Sequence, residues 1–207
     1  MKVVVIANPA LKDELTGRDF RGNADIEWLA EPANIEDADL VIDCLFTADK
    51  DRIKELQKTG ARCILVNHVC GTSRFLPENF IRFNGWPGFM SGPLIEASSG
   101  NMQFHSQAEE IFMLFNRKVK WVPDNPGFIT PRVVSMIINE AYLALGEGVS
   151  TKEDIDIAMK LGTNYPFGPF EWAMKIGVTH VHQLLTELAS VHQRYQPATL
   201  LTKEAIS

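Results

Sequence analysis

Several patterns that mark particular protein classes are missing from this sequence. Its cysteines are Cys44, Cys63 and Cys70, and no pair of them has the C-x-x-C spacing of a zinc or redox site. No apolar run approaches the length of a membrane span, and the first residues lack the small-residue cleavage site of a secretory signal. We therefore expect a reduced, cytoplasmic protein with no metal site and no membrane partner.

Positive charge is also scarce. The chain has 207 residues, with 20 Lys and Arg against 26 Asp and Glu, so its formal net charge is −6. Sequence-independent nucleic-acid binding needs a basic face, so this charge argues against a nucleic-acid partner. What the chain does contain is 45% hydrophobic residues, which is enough for the core of one large domain or two small ones.

Short apolar runs alternate with turns through the first half of the chain. Val3–Ala7, Asp39–Phe46 and Cys63–Val66 are rich in apolar residues and predict strands that are buried on both faces. Asp49–Lys58 has the spacing of an amphipathic helix and lies between two of these runs. Strand, helix and strand in this order predict a βαβ crossover in a parallel sheet. Further candidates are strands at Ile26–Ala30, Ile81–Phe83 and Lys118–Val122 and a helix at Gln103–Phe115.

The second half is predicted to be helical. An apolar stripe at helical spacing follows Pro131, and proline is favoured in the first turn of a helix. Ser150–Glu153 has the pattern of a capping box that opens a second helix, and Val178–Val191 predicts a third. We place the domain boundary between residues 123 and 124, so that an α/β domain (1–123) precedes a helical domain (124–207).

The helical half resembles a known family along most of its length. Asp124-Asn-Pro-Gly-Phe-Ile-Thr-Pro-Arg132, followed by Asn139-Glu-Ala141, is similar to the linker and first C-domain helix of 3-hydroxyacyl-CoA dehydrogenases. Glu147–Met159, Gly168-Pro169-Phe170 and Arg194-Tyr195-Gln196-Pro197 continue the resemblance in the same order. Because the pieces occur together with matching spacing, the resemblance does not depend on any single motif.

The first half resembles that family only in pieces, at Ala38–Asp43, at Arg82-Phe83 with Gly85, and at Pro93–Glu96. The resemblance implies a Rossmann-like parallel sheet domain, reduced here because a strand–helix section after the first strand is missing. It implies that a helical domain follows, of the kind found at the C-terminus of 6-phosphogluconate dehydrogenase. It also implies a role in fatty acid metabolism and a homodimer formed through the helical domain.

Members of the family oxidise 3-hydroxyacyl-CoA to 3-oxoacyl-CoA with NAD. A histidine that is oriented by a glutamate takes the hydroxyl proton, and a serine and an asparagine assist. Matching these positions to the sequence leaves only Glu96 unchanged, because Pro87 falls at the histidine, Cys70 near the serine and Pro131 at the asparagine. The resemblance therefore implies an oxidoreductase whose dehydrogenase activity is weak or lost.

The cofactor turn departs from the family as well. A glycine-rich turn usually follows the first strand, so that the backbone can approach the pyrophosphate of NAD closely. Here the chain has Asn8-Pro9-Ala10-Leu11 instead. Two interpretations of this turn remain open. It is either a degraded cofactor site or a site that contacts the nucleotide in a different way, through Asn8. Glu31 follows the second candidate strand and is either a ribose ligand or an ordinary loop residue.

Other chemistry is also open at this edge of the sheet. His68 and Cys70 follow a predicted strand and are two residues apart, which places them on the same side of an extended chain. They are either a histidine–thiol pair or ordinary loop residues. Glu96 is a relic, a general base in its own right or a solvated carboxylate at a strand end. The two functional hypotheses are a weak or inactive dehydrogenase and a non-catalytic dimeric relative, a pseudoenzyme, that binds acyl-CoA or a partner.

Overall fold

A computed structural model of the chain describes residues 1–17, 25–31, 33 and 35–207. The chain forms two compact units, residues 1–128 and residues 129–207. Within the described ranges, no helix is both long and apolar enough to cross a bilayer.

The first unit is built on one seven-stranded sheet with the order β2-β1-β3-β4-β5-β6-β7. The strands from β1 to β5 run parallel, whereas β6 is antiparallel to β5 and β7 is parallel to β6. The predicted parallel Rossmann-like sheet is therefore confirmed. The strands are β1 (Lys2–Ile6), β2 (Asp25–Leu29), β3 (Leu40–Asp43), β4 (Cys63–Asn67), β5 (Phe80–Phe83), β6 (Leu94–Ser98) and β7 (Lys118–Trp121).

Both faces of the sheet are covered by helices. Leu11 and Leu15 of α1 (Pro9–Thr16) pack with α3 (His105–Leu114) on one face, and Leu56 of α2 (Lys50–Lys58) packs on the other. Helix α1 was missing from the sequence-based prediction, in which Asn8 and Pro9 only ended a strand. The two residues in fact start the helix, since the side chain of Asn8 accepts a hydrogen bond from the backbone N–H of Leu11 and Pro9 is the first helical residue.

Two buried arginines hold elements of this unit together. Arg52 of α2 donates from Nε and Nη2 to the carboxylate of Asp43 at the end of β3, at 2.9 and 2.7 Å. Arg117 donates to the backbone carbonyls of Glu14 and Leu15, at 3.0 and 3.2 Å, and so caps the last turn of α1. Both guanidinium groups are thus hydrogen-bonded, as burial requires.

The second unit is entirely helical, as predicted. Its helices are α4 (Thr130–Gly146), α5 (Lys152–Thr163), α6 (Pro169–Ile176), α7 (Val178–Ala189) and α8 (Thr199–Ala205). The cap of α5 is Thr151, whose hydroxyl accepts from the N–H of Asp154, and this is one residue later than predicted.

Helix α6 was not among the helices predicted from the sequence. The buried carboxylate of Asp156 accepts hydrogen bonds from the backbone N–H groups of Phe170 and Glu171, at 2.8 and 3.2 Å. A side chain at Gly168 would collide with Asp156, since its Cβ would lie 2.3 Å from the carboxylate. Gly168 is therefore the residue that lets α5 cap α6.

Candidate functional site

A buried polar face on β5 and β6 is the main candidate site. We call Arg82, Asn84, Glu96, Ser98 and Asp124 the polar cluster. Residues that pair directly in an antiparallel ladder have side chains on the same face. Arg82 pairs with Ser98, and the backbone N–H of Asn84 donates to the carbonyl of Glu96 at 2.9 Å, so four members of the cluster share one face. The fifth, Asp124, follows β7 and contacts two of them.

The opposite face of the same two strands is apolar. Ile81 and Phe83 of β5 and Ile95 and Ala97 of β6 belong to the core that α3 covers. Alternation along each strand therefore separates a packed apolar layer from the polar cluster. Glu96 is only 9% exposed, so it is not the solvated strand-end residue that its position in the sequence could have indicated.

Arg82 connects the polar cluster to the loop after β4. Its Nε and Nη2 donate to Oδ1 of Asp124 at 3.0 and 2.7 Å, and its Nη1 donates to the backbone carbonyls of His68 and Gly71. A further bond runs from Nη2 to the carbonyl of Asn125 at 3.2 Å. Burial lowers the pKa of Arg82, and the carboxylate of Asp124 opposes that effect. One buried cation thus holds the loop and the segment after β7 against β5.

Asp124 is the matching anion of this network. Its carboxylate accepts from the backbone N–H of Ser73 at 2.9 Å and from the hydroxyl of Ser98 at 3.4 Å, in addition to Arg82. Close by, the N–H of Gly127 donates to the carbonyl of Val69 at 2.8 Å. In the sequence, Asp124 is only the first residue of the motif that resembles the family's linker. Its role depends on contacts between segments that are far apart in the chain.

The pairing of β5 and β6 adds a second position to compare with the family's histidine. The residue opposite Glu96 is Asn84, whereas the sequence alignment placed the histidine position at Pro87. Pro87 lies three residues beyond that pair, in the turn that follows. The side chain of Asn67 fixes the intervening chain, because it donates to the carbonyl of Gly85 at 3.2 Å and accepts from its N–H at 3.0 Å. The carboxylate of Glu96 therefore lies on the same sheet face as the side chain at position 84.

His68 and Cys70 lie in the loop that Arg82 binds. The ring of His68 packs edge-on against Phe46, with centroids 5.8 Å apart. Its Nε2 is 2.0 Å from where a Cβ of residue 71 would be, so only Gly71 leaves room for the ring. Burial, assisted by the charge of Arg82 and opposed by Asp124, lowers the pKa of His68 to about 4. The imidazole is thus neutral near pH 7, and a role for it with the partly exposed Cys70 stays a prediction.

The turn after β1 does not fit the pyrophosphate of NAD well. Leu11 N–H donates to the side chain of Asn8 at 2.9 Å, and Lys12 N–H donates to its carbonyl at 2.9 Å. Pro9 has no N–H, so the start of α1 has few donors left for a phosphate. Glu31 is exposed after β2, next to β1 in the sheet. Nucleotide contacts of Asn8 or Glu31 therefore stay predictions.

Pro131, at the predicted asparagine position, is buried in the first turn of α4 in the second unit. A proline there lacks only an N–H that the helix would not use. Its ring cannot donate or accept a hydrogen bond, so it cannot replace the amide of an asparagine.

Comparison with known proteins gives the second unit a clear relationship. The sequence pattern described as "3-hydroxyacyl-CoA dehydrogenase, C-terminal domain" matches residues 127–206. A 3-hydroxyadipyl-CoA dehydrogenase of Escherichia coli (strain K12) is 42% identical over 92 residues, which cover 44% of this chain and 19% of that protein. A 3-hydroxybutyryl-CoA dehydrogenase of Clostridioides difficile is 28% identical over 170 residues, which cover 79% of this chain and 59% of that protein.

A solved structure extends the likeness to the first unit. The (S)-3-hydroxybutyryl-CoA dehydrogenase from Ralstonia eutropha superposes with a TM-score of 0.71 at 22% identity, covering 98% of this chain and 92% of that one. An identity this low establishes the fold only: a Rossmann-like domain followed by a helical domain. In sequence, the chain spans less than two thirds of the length of the two curated relatives named above.

Proposed function

We propose that this chain, which belongs to the 3-hydroxyacyl-CoA dehydrogenase family, binds 3-hydroxyacyl-CoA or 3-oxoacyl-CoA thioesters but interconverts them with NAD weakly or not at all. One observation carries the proposal. The residue opposite Glu96 in the polar cluster is Asn84. A carboxamide can hydrogen-bond a ligand oxygen, but it has no basic nitrogen that could take the hydroxyl proton.

The cofactor turn supports the same proposal. The family uses NAD, and bound NAD would supply the hydride acceptor. The start of α1 already uses Leu11 N–H and Lys12 N–H within the turn, and Pro9 adds no donor. The proposal therefore includes no reaction step that depends on bound NAD. The polar cluster consists of buried hydrogen-bonding side chains, and the proposal assigns the acyl oxygen atoms to it.

The direct test follows NADH absorbance with acetoacetyl-CoA and, in parallel, the melting temperature with the same thioester. We expect the thioester to raise the melting temperature, because a ligand that binds only the folded state stabilises it. We expect no turnover above the blank. Turnover near the typical enzyme rate of about 10 s⁻¹ would contradict the loss of activity. An unchanged melting temperature would contradict thioester binding.

Substituting a histidine at position 84 or at position 87 tests which of the two positions can act with Glu96. Asn84→His places an imidazole opposite Glu96, and Pro87→His is the matched control at the position that the sequence alignment indicated. Where calorimetry detects NADH binding, we expect Asn84→His to show turnover above the blank and Pro87→His to show none. Where NADH does not bind, both variants should stay inactive. Activity from Pro87→His alone would contradict the assignment of position 84.

We also propose that the chain forms a homodimer through its helical unit. Exposed apolar side chains support this, above all Ile157 and Leu161, which are one turn apart on α5 and are 50% and 83% exposed. Size-exclusion chromatography with light scattering should show a dimer. Ile157→Lys combined with Leu161→Lys should shift it to a monomer, whereas the exposed Met102→Lys in the first unit should not. A monomeric wild-type protein would refute the proposal.

A further inference from the structure

The outer edges of the seven-stranded sheet are not used by the proposed function. β2 and β7 are its end strands, and no further strand of the described residues pairs with either of them. The inner strand β3 is buried throughout, whereas β2 and β7 carry only exposed or half-buried side chains. An edge strand presents a row of backbone N–H and C=O groups, so it can act as a template for another strand.

The two edges carry opposite charges. The exposed side chains are Asp25 and Glu27 on β2, and Lys118 and Lys120 on β7. Glu27 also contacts Lys2 of β1 at 3.0 Å, whereas neither lysine of β7 forms an ion pair within the described part of the chain. Like charges that are directly opposite on paired strands repel, and opposite charges attract. Two β2 edges, or two β7 edges, are therefore incompatible, but β2 of one copy fits β7 of another.

The faces and the directions of the two strands match as well. Ile26 and Trp28 of β2, and Val119 and Trp121 of β7, pack against the same core cluster that α3 covers. Alternation therefore places the charged side chains of both strands on the other face. β7 runs antiparallel to β2 within the sheet. A second copy that continues the sheet with the same face towards α3 thus brings its β2 antiparallel to β7.

The backbone hydrogen bonds inside the sheet fit one register. The N–H of Lys118 donates at 2.9 Å to the segment before β6, and the carbonyl of Leu29 accepts at 2.9 Å from the residue after β1. Because alternate residues of a strand bond to the same neighbour, Ile26 and Val119 direct their backbone groups outward. Pairing these two residues places Asp25 opposite Lys120, and residue 27 opposite residue 118, so both charge pairs are complementary.

We propose that copies of this chain associate edge to edge, with β2 of one copy added to β7 of the next as an antiparallel continuation of the sheet. Such a head-to-tail contact leaves one acidic and one basic edge free, so it does not end at two copies. All the residues involved belong to residues 1–128. The association therefore depends neither on thioester binding nor on the proposed dimer through the helical unit, which is closed at two copies.

Analytical ultracentrifugation of the full chain over a wide range of protein concentration tests the proposal. The average mass should keep rising beyond that of a dimer. Raising the salt from about 0.1 M to about 1 M should reverse the rise, because the screening length falls from about 10 Å to about 3 Å. Ile157→Lys with Leu161→Lys, which should remove only the helical dimer, should leave the rise in place. A mass that stops at one or two copies at every concentration would overturn the proposal.

Two charge-reversal variants locate the contact. Lys118→Glu with Lys120→Glu makes both edges acidic, and Asp25→Lys with Glu27→Lys makes both edges basic. Each variant alone should associate about tenfold more weakly than the wild type, because two attractive cross-strand pairs become repulsive. An equal mixture of the two should assemble again, since every contact between unlike copies is then complementary. Undiminished association of either variant alone, or a mixture that fails to assemble, would overturn the proposal.

A matched control separates the edge contact from a general effect of charge. Lys54→Glu with Lys58→Glu changes two exposed lysines of α2 by the same total charge and should leave association unchanged. Melting temperatures show whether each variant is folded. If the β2 variant is not, the folded Lys118→Glu, Lys120→Glu protein still serves. Added to the wild type, it should shorten the assemblies, because its acidic β2 binds a wild-type β7 while its own β7 binds no β2. Wild-type assemblies of unchanged mass would contradict the proposal.

Discussion

The two units of the chain distribute polar and apolar side chains in opposite ways. Of the buried polar residues in the described part of the chain, eight lie in residues 1–128 and three in residues 129–207. Of the large apolar side chains that are exposed there, five lie in the first unit and ten in the second. The first unit therefore satisfies its polar groups internally, whereas the second presents an apolar surface that a ligand or another chain could cover.

The buried and exposed side chains therefore have different roles in the two units. In the first unit, buried charges such as Arg82 and Asp124 position loops around the polar cluster, and their cost is offset only because they are paired. In the second unit, the apolar side chains on the surface of α4 and α5 are not needed to pair buried charges. Perturbing buried charges should therefore affect the first unit strongly, and single caps in the second should matter less.

The largest effect is expected for the ion pair of Arg52 and Asp43. Arg52→Met leaves the fully buried carboxylate of Asp43 without its cation, and breaking such a pair costs about 3–5 kcal/mol. Burial already raises the pKa of Asp43, and Arg52 opposes that rise. Urea denaturation should show the loss in the free energy of unfolding.

The double variant Asp43→Leu with Arg52→Met is the control for this measurement. It removes both charges, so it should recover much of the stability that the single change loses. A loss below about 1 kcal/mol in the single variant, which is typical of exposed pairs, would contradict the importance of this buried pair.

His68 should make the stability of the protein depend on pH. Its folded pKa of about 4 lies below the ordinary value of 6.5, so the unfolded state binds the proton more readily. The stabilisation is complete above about pH 6.5 and is lost as the pH falls towards 4, by roughly 2–3 kcal/mol. Unfolding free energies at pH 7 and pH 4.5 should differ less for His68→Gln than for the wild type. An equal difference in both proteins would show that another group is responsible, and the exposed His192→Gln is the matched control.

The smallest effect is expected for the cap of α6 in the second unit. Asp156→Ala removes the acceptor for the N–H groups of Phe170 and Glu171 and should lower the free energy of unfolding by about 1–2 kcal/mol. Asp156→Asn keeps an oxygen acceptor and should lose less. If Asp156→Ala destabilises the protein as much as Arg52→Met does, the contrast between the two units fails.

Much of the fold was predictable because it depends on local sequence. The runs around Val4, Val41 and Leu65 are too apolar to be anything but buried strands, and the structure confirms them. Helix α1 was missed although Asn8 and Pro9 are residues typical of a helix start. Helix α6 was missed for a different reason, since its cap comes from Asp156 on another helix and no local pattern shows it.

The candidate site was predictable only in part. Glu96 could be found from the sequence, but its partner could not, because a strand pairing decides which residue lies opposite it. Asn84 thereby joins Pro87 as a position at which a substituted histidine can be tested. The sites proposed at Asn8, Glu31, His68 and Cys70 stay predictions, and the structure adds contacts that limit the chemistry of Asn8 and His68.

The sequence by itself determined the α/β-then-helical order, the relationship of the second half to 3-hydroxyacyl-CoA dehydrogenases and the absence of a glycine-rich turn. These features are encoded in neighbouring residues. Only the tertiary structure decided that Asn84 lies opposite Glu96, that Arg82 joins Asp124 to the loop after β4, and that the acidic strand β2 and the basic strand β7 form the two edges of one sheet. Each of these depends on residues that are distant in the chain, and their arrangement is decided by strand pairing and helix packing.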